Sequence, residues 1–243
     1  MKIKIQKLIQ EAKNSIAILI DPEKDLNFEE FSKKISECQV DFLFVGGSTS
    51  NNIQIESTLK ILKKHFKKPI IIFPGSPDQV SSKADAILFL SLISGRNPYY
   101  LIESQIEAAE KIYRMKLECI ATSYLLIDGL SQSSVSKVSK TKPIPIENPN
   151  LIFKTALAGK LLGHTVTYLE AGSGARRIIP KSVIKRISKL DTVLIVGGGV
   201  KSISNIRKLH DAGANIVVIG NYIEGNIEFL DEINDYKNQS KQG

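Results

Sequence analysis

Two kinds of residue in this chain stand where chemistry could be done: glycine clusters directly after short apolar runs, and a few acidic and hydroxyl side chains beside them. Gly46-Gly47-Ser48-Thr49-Ser50 follows the run 41–45, and Glu170-Ala171-Gly172-Ser173-Gly174 follows 165–169. Gly197-Gly198-Gly199 follows 192–196, and Gly220-Asn221 follows 215–219. Glycine lets backbone N–H groups approach an anion closely, and a helix starting after such a loop adds a favourable dipole. These loops read as phosphate cradles at two places, although any one Gly-Gly is also what an ordinary turn contains. The three consecutive glycines carry more weight, because they cost backbone entropy without adding packing. Asp21, after the run 16–20 and at the head of Pro22-Glu23-Lys24-Asp25, is either a turn former or a functional carboxylate. Tyr168 and Glu170 lie two residues apart and share one side of a strand. A carboxylate on the inner side of a closed sheet is costly unless it is paired or used. His164 and His210 fall at helix ends and His65 in a lysine-rich stretch, which disfavours a histidine general base.

Such residues act together only if the fold brings the ends of these runs to one place. Eight near-continuous Val/Ile/Leu runs occur, at 16–20, 41–45, 69–73, 84–92, 117–127, 165–169, 192–196 and 215–219. Unbroken apolar runs indicate strands buried on both faces, as in a parallel sheet. Eight units in this length match an α/β fold of the (β/α)8 TIM-barrel type, with a doubly wound open sheet as the other arrangement. Helices are expected over 28–38, 98–114, 149–162, 180–190, 202–212 and 225–235, and after Ser50 as far as the basic stretch 63–68. The third unit is thin, and the serine-rich segment 131–141 is expected to be loop. With no interdomain linker, residues 1–243 read as a single domain. In a barrel the active site lies at the C-terminal ends of the strands, often with phosphate after the seventh and eighth.

Asp21-Pro22, Gly46-Gly47-Ser48, Tyr168-Leu169-Glu170-Ala171-Gly172-Ser173-Gly174, Gly197-Gly198-Gly199 and Gly220-Asn221 together resemble the geranylgeranylglyceryl phosphate synthase family, which includes the bacterial heptaprenylglyceryl phosphate synthases. The likeness spans residues 15–235. It implies a modified TIM barrel whose third helix is reduced to a loop, in keeping with the thin third unit. It also implies a Mg2+-dependent prenyltransferase of ether-lipid biosynthesis. Such an enzyme joins a polyprenyl diphosphate, here most readily geranylgeranyl diphosphate, to the 3-hydroxyl of sn-glycerol 1-phosphate and releases diphosphate. By this likeness Asp21 and Ser48 hold Mg2+. Tyr168, Leu169, Glu170, Ala171, Gly172, Ser173 and Gly174, with Gly198, Gly199, Gly220 and Asn221, hold the glycerol phosphate. Mg2+ takes one or two hard oxygen ligands together with substrate phosphates and keeps waters, which suits that pair. Glu170 is then the candidate to draw off the hydroxyl proton. One position departs from part of the family: a Lys two residues before the metal aspartate is here Leu19, so its charge falls to Arg176 or Arg177. That departure and the long segment 131–146 fit the larger, non-Lys-bearing branch. The prenyl chain needs an apolar groove, for which residues 94–100 and Tyr124 are candidate walls.

The chain carries 33 basic and 25 acidic residues, a net charge of +8 and a pI near 9.3. A nucleic-acid binder would show a basic stripe with interleaved aromatics or a binding motif, and neither is present. Residues 176–208 hold nine basic side chains against Asp191 alone, so the excess sits around the phosphate loops. There it can steer polyanionic substrates and favour an anionic membrane surface. Cys38 and Cys119 form no framework or zinc spacing, and no apolar run reaches the roughly 18 residues of a spanning helix. The expectation is a cytoplasmic homo-oligomer with peripheral membrane contact through its lipid product. The glycine loops alone would equally suit a sugar-phosphate isomerase or a flavin-binding lyase; Asp21 with Ser48 separates the readings.

Overall fold

Each apolar run becomes a strand whose residues alternate between two buried faces, so no position needs a polar side chain. The computed structural model describes residues 4–24, 26–131 and 133–239; Asp25 and Gln132 lie outside the described residues. The strands are β1 (Ser15–Ile20), β2 (Phe42–Val45), β3 (Ile70–Ile72), β4 (Ala86–Ser91), β5 (Glu118–Leu126), β6 (Val166–Glu170), β7 (Val193–Gly197) and β8 (Ile216–Ile219). They pair in parallel in chain order, and β8 closes on β1 from Ser15↔Ile216 to Ile18↔Ile219. The fold is therefore a closed barrel and not an open sheet.

The helices are α1 (Ile5–Gln10), α2 (Phe28–Ser36), α3 (Asn52–His65), α4 (Ser104–Met115, entered through a π turn at Tyr99–Glu103), α5 (Ser134–Ser139), α6 (Pro149–Leu161), α7 (Lys181–Ile187), α8 (Ile203–Asp211), α9 (Asn221–Gly225) and α10 (Phe229–Gln239). Their starts follow capping chemistry. Asn51 and Gln54 form a reciprocal capping box at α3, Asn148 caps α6 ahead of Pro149, and Ser202 caps α8. No helix lies among the described residues between β3 and β4.

Two expectations change. The serine-rich segment is not all loop: Ser133 accepts a hydrogen bond from the Ser136 N–H and starts α5. The last helical stretch is two helices, α9 and α10.

Inside the barrel, Ala17, Phe44, Ile71, Leu88, Tyr124, Tyr168, Ile195 and Val218 form one apolar cluster. Their outward neighbours, such as Ile18, Val45, Leu125, Leu169 and Val196, pack against the helices in another. The N-terminal end of the barrel is plugged by α1, whose Ile5 and Ile9 join the interior cluster. The first N–H groups of α1, from Ile5 and Gln6, donate to the Glu118 carboxylate at 3.0 and 2.7 Å. With that end closed, chemistry is confined to the opposite one. Among the described residues no helix is long and apolar enough to cross a membrane.

Candidate active site

A cleft of about 230 Å³ opens where the strands end, and the glycine loops picked out above converge on it. Asp21, Ser48, Glu170, Gly172, Ser173, Gly174, Gly198, Gly199, Gly220 and Asn221 all line it. Tyr168, Leu169 and Ala171 do not. Leu169 and Ala171 face the helix layer, and Tyr168 lies beneath the cleft in the barrel interior. There Tyr168 packs on Phe73 and Tyr124, with ring centroids 5.3 Å from each. The three rings make an apolar floor.

Glu170 stands on that floor, and only 8% of it is exposed. Its Oε1 accepts the Gly172 N–H at 2.7 Å, so the loop it belongs to holds it in place. Burial pushes its carboxyl up to about 7 from 4.5, against the lowering pull of that N–H and of the Tyr168 hydroxyl. Burial, reinforced by the nearby Glu170 charge, holds Tyr124 and Tyr168 protonated. A carboxyl raised toward neutrality by burial can take up a proton at neutral pH, the property that general-base chemistry requires.

The wall formed by the β6 and β7 loops is largely backbone. The N–H groups of Ser173, Gly174, Gly198 and Gly199 meet no acceptor among the described residues. Asn221 Nδ2 donates to Ser173 Oγ at 2.8 Å and ties the β8 loop to the β6 loop across the cleft. Gly198 has φ of +87°, and a Cβ there would sit 2.6 Å from Glu170 Oε1 and 2.7 Å from the Ala171 nitrogen. Gly174 has φ of +71° but open space around it. Gly174→Ala should therefore lose about 1 to 2 kcal/mol of stability from the left-handed backbone, and Gly198→Ala more, because its Cβ also meets Glu170 and the Ala171 nitrogen. Only Gly198→Ala should also lower kcat, by at least about ten-fold, because it displaces Glu170. Parallel melting curves and turnover of the two variants check this.

The opposite wall carries Asp21 and Ser48. Asp21 Oδ1 accepts from the Glu23 N–H and Ser50 Oγ, both at 3.1 Å. The turn-forming role is thus seen, and it leaves Oδ2 without a donor among the described residues. A Cβ on Gly47 would lie 2.3 Å from Asp21 Oδ1, so glycine keeps the space beside this carboxylate clear. Among the described residues no group of three or more His, Cys, Asp or Glu side chains is placed to hold a metal. Asp21 Oδ2, with glycine-made space beside it and Ser48 on the same wall, fits Mg2+, which draws its remaining ligands from water and substrate phosphate.

Some expectations shift. Of residues 94–100 only Tyr100 lines the cleft, joined by Tyr124 and by Phe73, Leu90, Leu92 and Val138. Beyond them the apolar branch continues past Val80, Ile87, Ala108 and Ile112, over the β3–β4 connection. Arg176 and Arg177 are exposed and do not line the cleft; Lys201 does, as the one cation among the described lining residues. It lies two residues beyond the glycine triplet, so position relative to that motif was the available signal. Glu224, whose carboxyl burial pushes up and Lys24 pulls down, was likewise missed. Neither His164 nor His210 lines the cleft: His164 pairs with Ser123, and His210 is buried between the Tyr236 hydroxyl and the Ser15 carbonyl.

A model of the PcrB family matches residues 7–237. A geranylgeranylglyceryl phosphate synthase of Flavobacterium johnsoniae is 44% identical over 93% of this chain and 96% of that protein. One of Zunongwangia profunda is 48% identical over 87% of this chain and 92% of its own. Among solved structures, the (S)-3-O-geranylgeranylglyceryl phosphate synthase of Thermoplasma acidophilum, in complex with its substrate sn-glycerol-1-phosphate, superposes with a TM-score of 0.89 at 30% identity. That match covers 97% of this chain and 98% of the other.

Proposed function

We propose, from the premise that this chain belongs to the PcrB family and is a prenyltransferase of the geranylgeranylglyceryl phosphate synthase type, that it forms an ether bond between sn-glycerol 1-phosphate and geranylgeranyl diphosphate. The observation that carries the reading is Glu170, buried over an aromatic floor between a backbone phosphate cradle and the Asp21–Ser48 wall. The relatives' names support the choice of donor, and the bound sn-glycerol-1-phosphate of the Thermoplasma acidophilum enzyme supports the choice of acceptor.

In this reading the glycerol phosphate lies with its phosphate on the free N–H groups of the β6 and β7 loops. Its 3-hydroxyl then reaches Glu170. The hydroxyl oxygen forms a bond to C1 of the prenyl chain as the C1–oxygen bond to diphosphate breaks, and the hydroxyl proton passes to the Glu170 carboxylate. Asp21 and Ser48 would hold Mg2+, which when bound neutralises charge developing on the departing diphosphate. Phe73, Tyr124 and Tyr168 exclude water from the reacting carbon, and the apolar branch past Val80 and Ile112 takes the prenyl tail. Apolar side chains left exposed on α4, Ile106 and Tyr113, are what a second copy would cover in a homo-oligomer.

Lys201 takes the part assigned above to Arg176 or Arg177: it supplies the charge for the acceptor phosphate. Lys201→Met should raise KM for sn-glycerol 1-phosphate about ten-fold, the scale of one charge-assisted hydrogen bond, and leave KM for the prenyl diphosphate unchanged. The function itself is tested by incubating the protein with Mg2+, labelled sn-glycerol 1-phosphate and prenyl diphosphates of several lengths. An organic-extractable product, formed fastest with the twenty-carbon donor, is expected; no extractable label would overturn the reading.

A further inference from the structure

The connection that lost its helix must be braced by something else. A (β/α)8 unit normally covers the end of its strand with the following helix, yet none lies among the described residues between β3 and β4. The missing helix opens the apolar branch of the cleft, lined there by Val80, Ile87, Ala108 and Ile112. The β2 and β3 loops are packed instead by the β3–β4 connection, whose Gln79, Val80 and Ser81 are buried.

One side chain fills that role. Gln79 is fully buried, with 0% exposed. Its Nε2 donates to the Gly47 carbonyl at 2.8 Å and to the Ser50 carbonyl at 2.7 Å. Its Oε1 accepts the Gly75 N–H at 2.9 Å. A primary amide is the side chain that offers two donors and an acceptor together, and all are used. Ser50, whose carbonyl Gln79 holds, passes the constraint on, because its Oγ donates to Asp21 Oδ1 at 3.1 Å. The loops after β1, β2 and β3 are thereby joined through one buried amide, with Ser48 inside the clamped stretch. The packing is tight: a Cβ on Gly75 would fall 2.3 Å from the Gly47 carbonyl oxygen and 2.8 Å from Ser48 Cα.

We propose that Gln79 is the positioning residue of the Asp21–Ser48 wall, setting the spacing of its two oxygen donors without itself touching substrate. The inference rests on the reading of that wall as the metal and diphosphate end of the site. A donor pair fixed before the ligand arrives spends less of the binding energy on ordering. The β6, β7 and β8 loops, which cradle the acceptor phosphate, make no hydrogen bond to Gln79.

Gln79→Glu tests this directly. It keeps the acceptor for Gly75 and the shape of the side chain, and removes at least one of the two donated bonds: ionised it sets an oxygen against both carbonyls, and protonated it donates to one alone. Calorimetric titration with Mn2+ and inorganic diphosphate should show binding to the native protein and about ten-fold or greater weakening in Gln79→Glu, with sn-glycerol 1-phosphate affinity unchanged. In turnover, the Mg2+ concentration for half-maximal rate should rise in parallel. Equal weakening of both ligands would mean general loosening and would overturn the proposal, as would no weakening of either. If the native protein fails to bind Mn2+ with diphosphate, the reading of the wall is wrong and the proposal falls with it. Should Gln79→Glu not fold, Ser50→Ala decides: it breaks the relay to Asp21 alone, and the same selective loss is required of it.

Discussion

Glu170→Gln is expected to lower kcat by about two to four orders of magnitude, the contribution of a positioned general base, while making the protein more stable at neutral pH. The two effects share one cause. Burial raises the Glu170 carboxyl from 4.5 to about 7 in the folded chain. Below pH 4.5 both folded and unfolded chains hold the proton, and the carboxyl costs nothing. Between 4.5 and about 7 the unfolded chain gives up a proton that the folded chain keeps, so stability falls as pH rises; above about 7 the full cost remains. That cost is on the order of 3 kcal/mol. The glutamine variant should therefore melt several degrees higher than the native protein at pH 8 and at the same temperature at pH 4. In the native enzyme kcat/KM for the acceptor should climb about ten-fold per pH unit below about 7 and level off above it. A variant with near-native turnover would remove Glu170 from the chemistry, whatever its melting temperature.

Asp21→Asn should nearly abolish metal-dependent turnover and leave the fold intact. Asparagine keeps an Oδ1 to accept from the Glu23 N–H and Ser50 Oγ, so the turn survives. What it loses is the negative charge beside the space that Gly47 leaves open. A fall in kcat on the order of 10^2 to 10^3 is expected, since charge stabilisation of a leaving group supplies several kcal/mol. Mg2+ titrations of rate should shift to higher concentration, and sn-glycerol 1-phosphate should bind as before. An unchanged Mg2+ titration would put the metal elsewhere.

The barrel was legible because its strands are short, unbroken and buried on both faces, so eight apolar runs translate directly into eight strands. The β6 loop was legible for a related reason: period-two geometry puts Tyr168 and Glu170 on one side, and the inner side of a closed barrel is where both sit. Leu169 and Ala171 belong to the same motif, yet the same alternation turns them outward. The α1 plug escaped notice because six residues carry little periodic signal, and its capping partner Glu118 is 113 positions away from Ile5. Gln79 was invisible for the same reason. Its partners Gly47 and Ser50 lie 32 and 29 residues back, and a single glutamine in a loop has no local signature. Lys201 stood in plain view, but only the folded β7 loop distinguishes it from the exposed Arg176 and Arg177.

In the proposed reaction Glu170 and the Asp21–Ser48 wall act on two substrates in one step, so that diphosphate leaves only as the acceptor oxygen arrives. A single-turnover measurement of diphosphate release, with and without sn-glycerol 1-phosphate, tests it most directly. Release should require the acceptor and Mg2+, match the ether product one to one, and slow by about two to four orders of magnitude in Glu170→Gln. Release at the same rate without acceptor, or in the Glu170→Gln protein, would contradict the account.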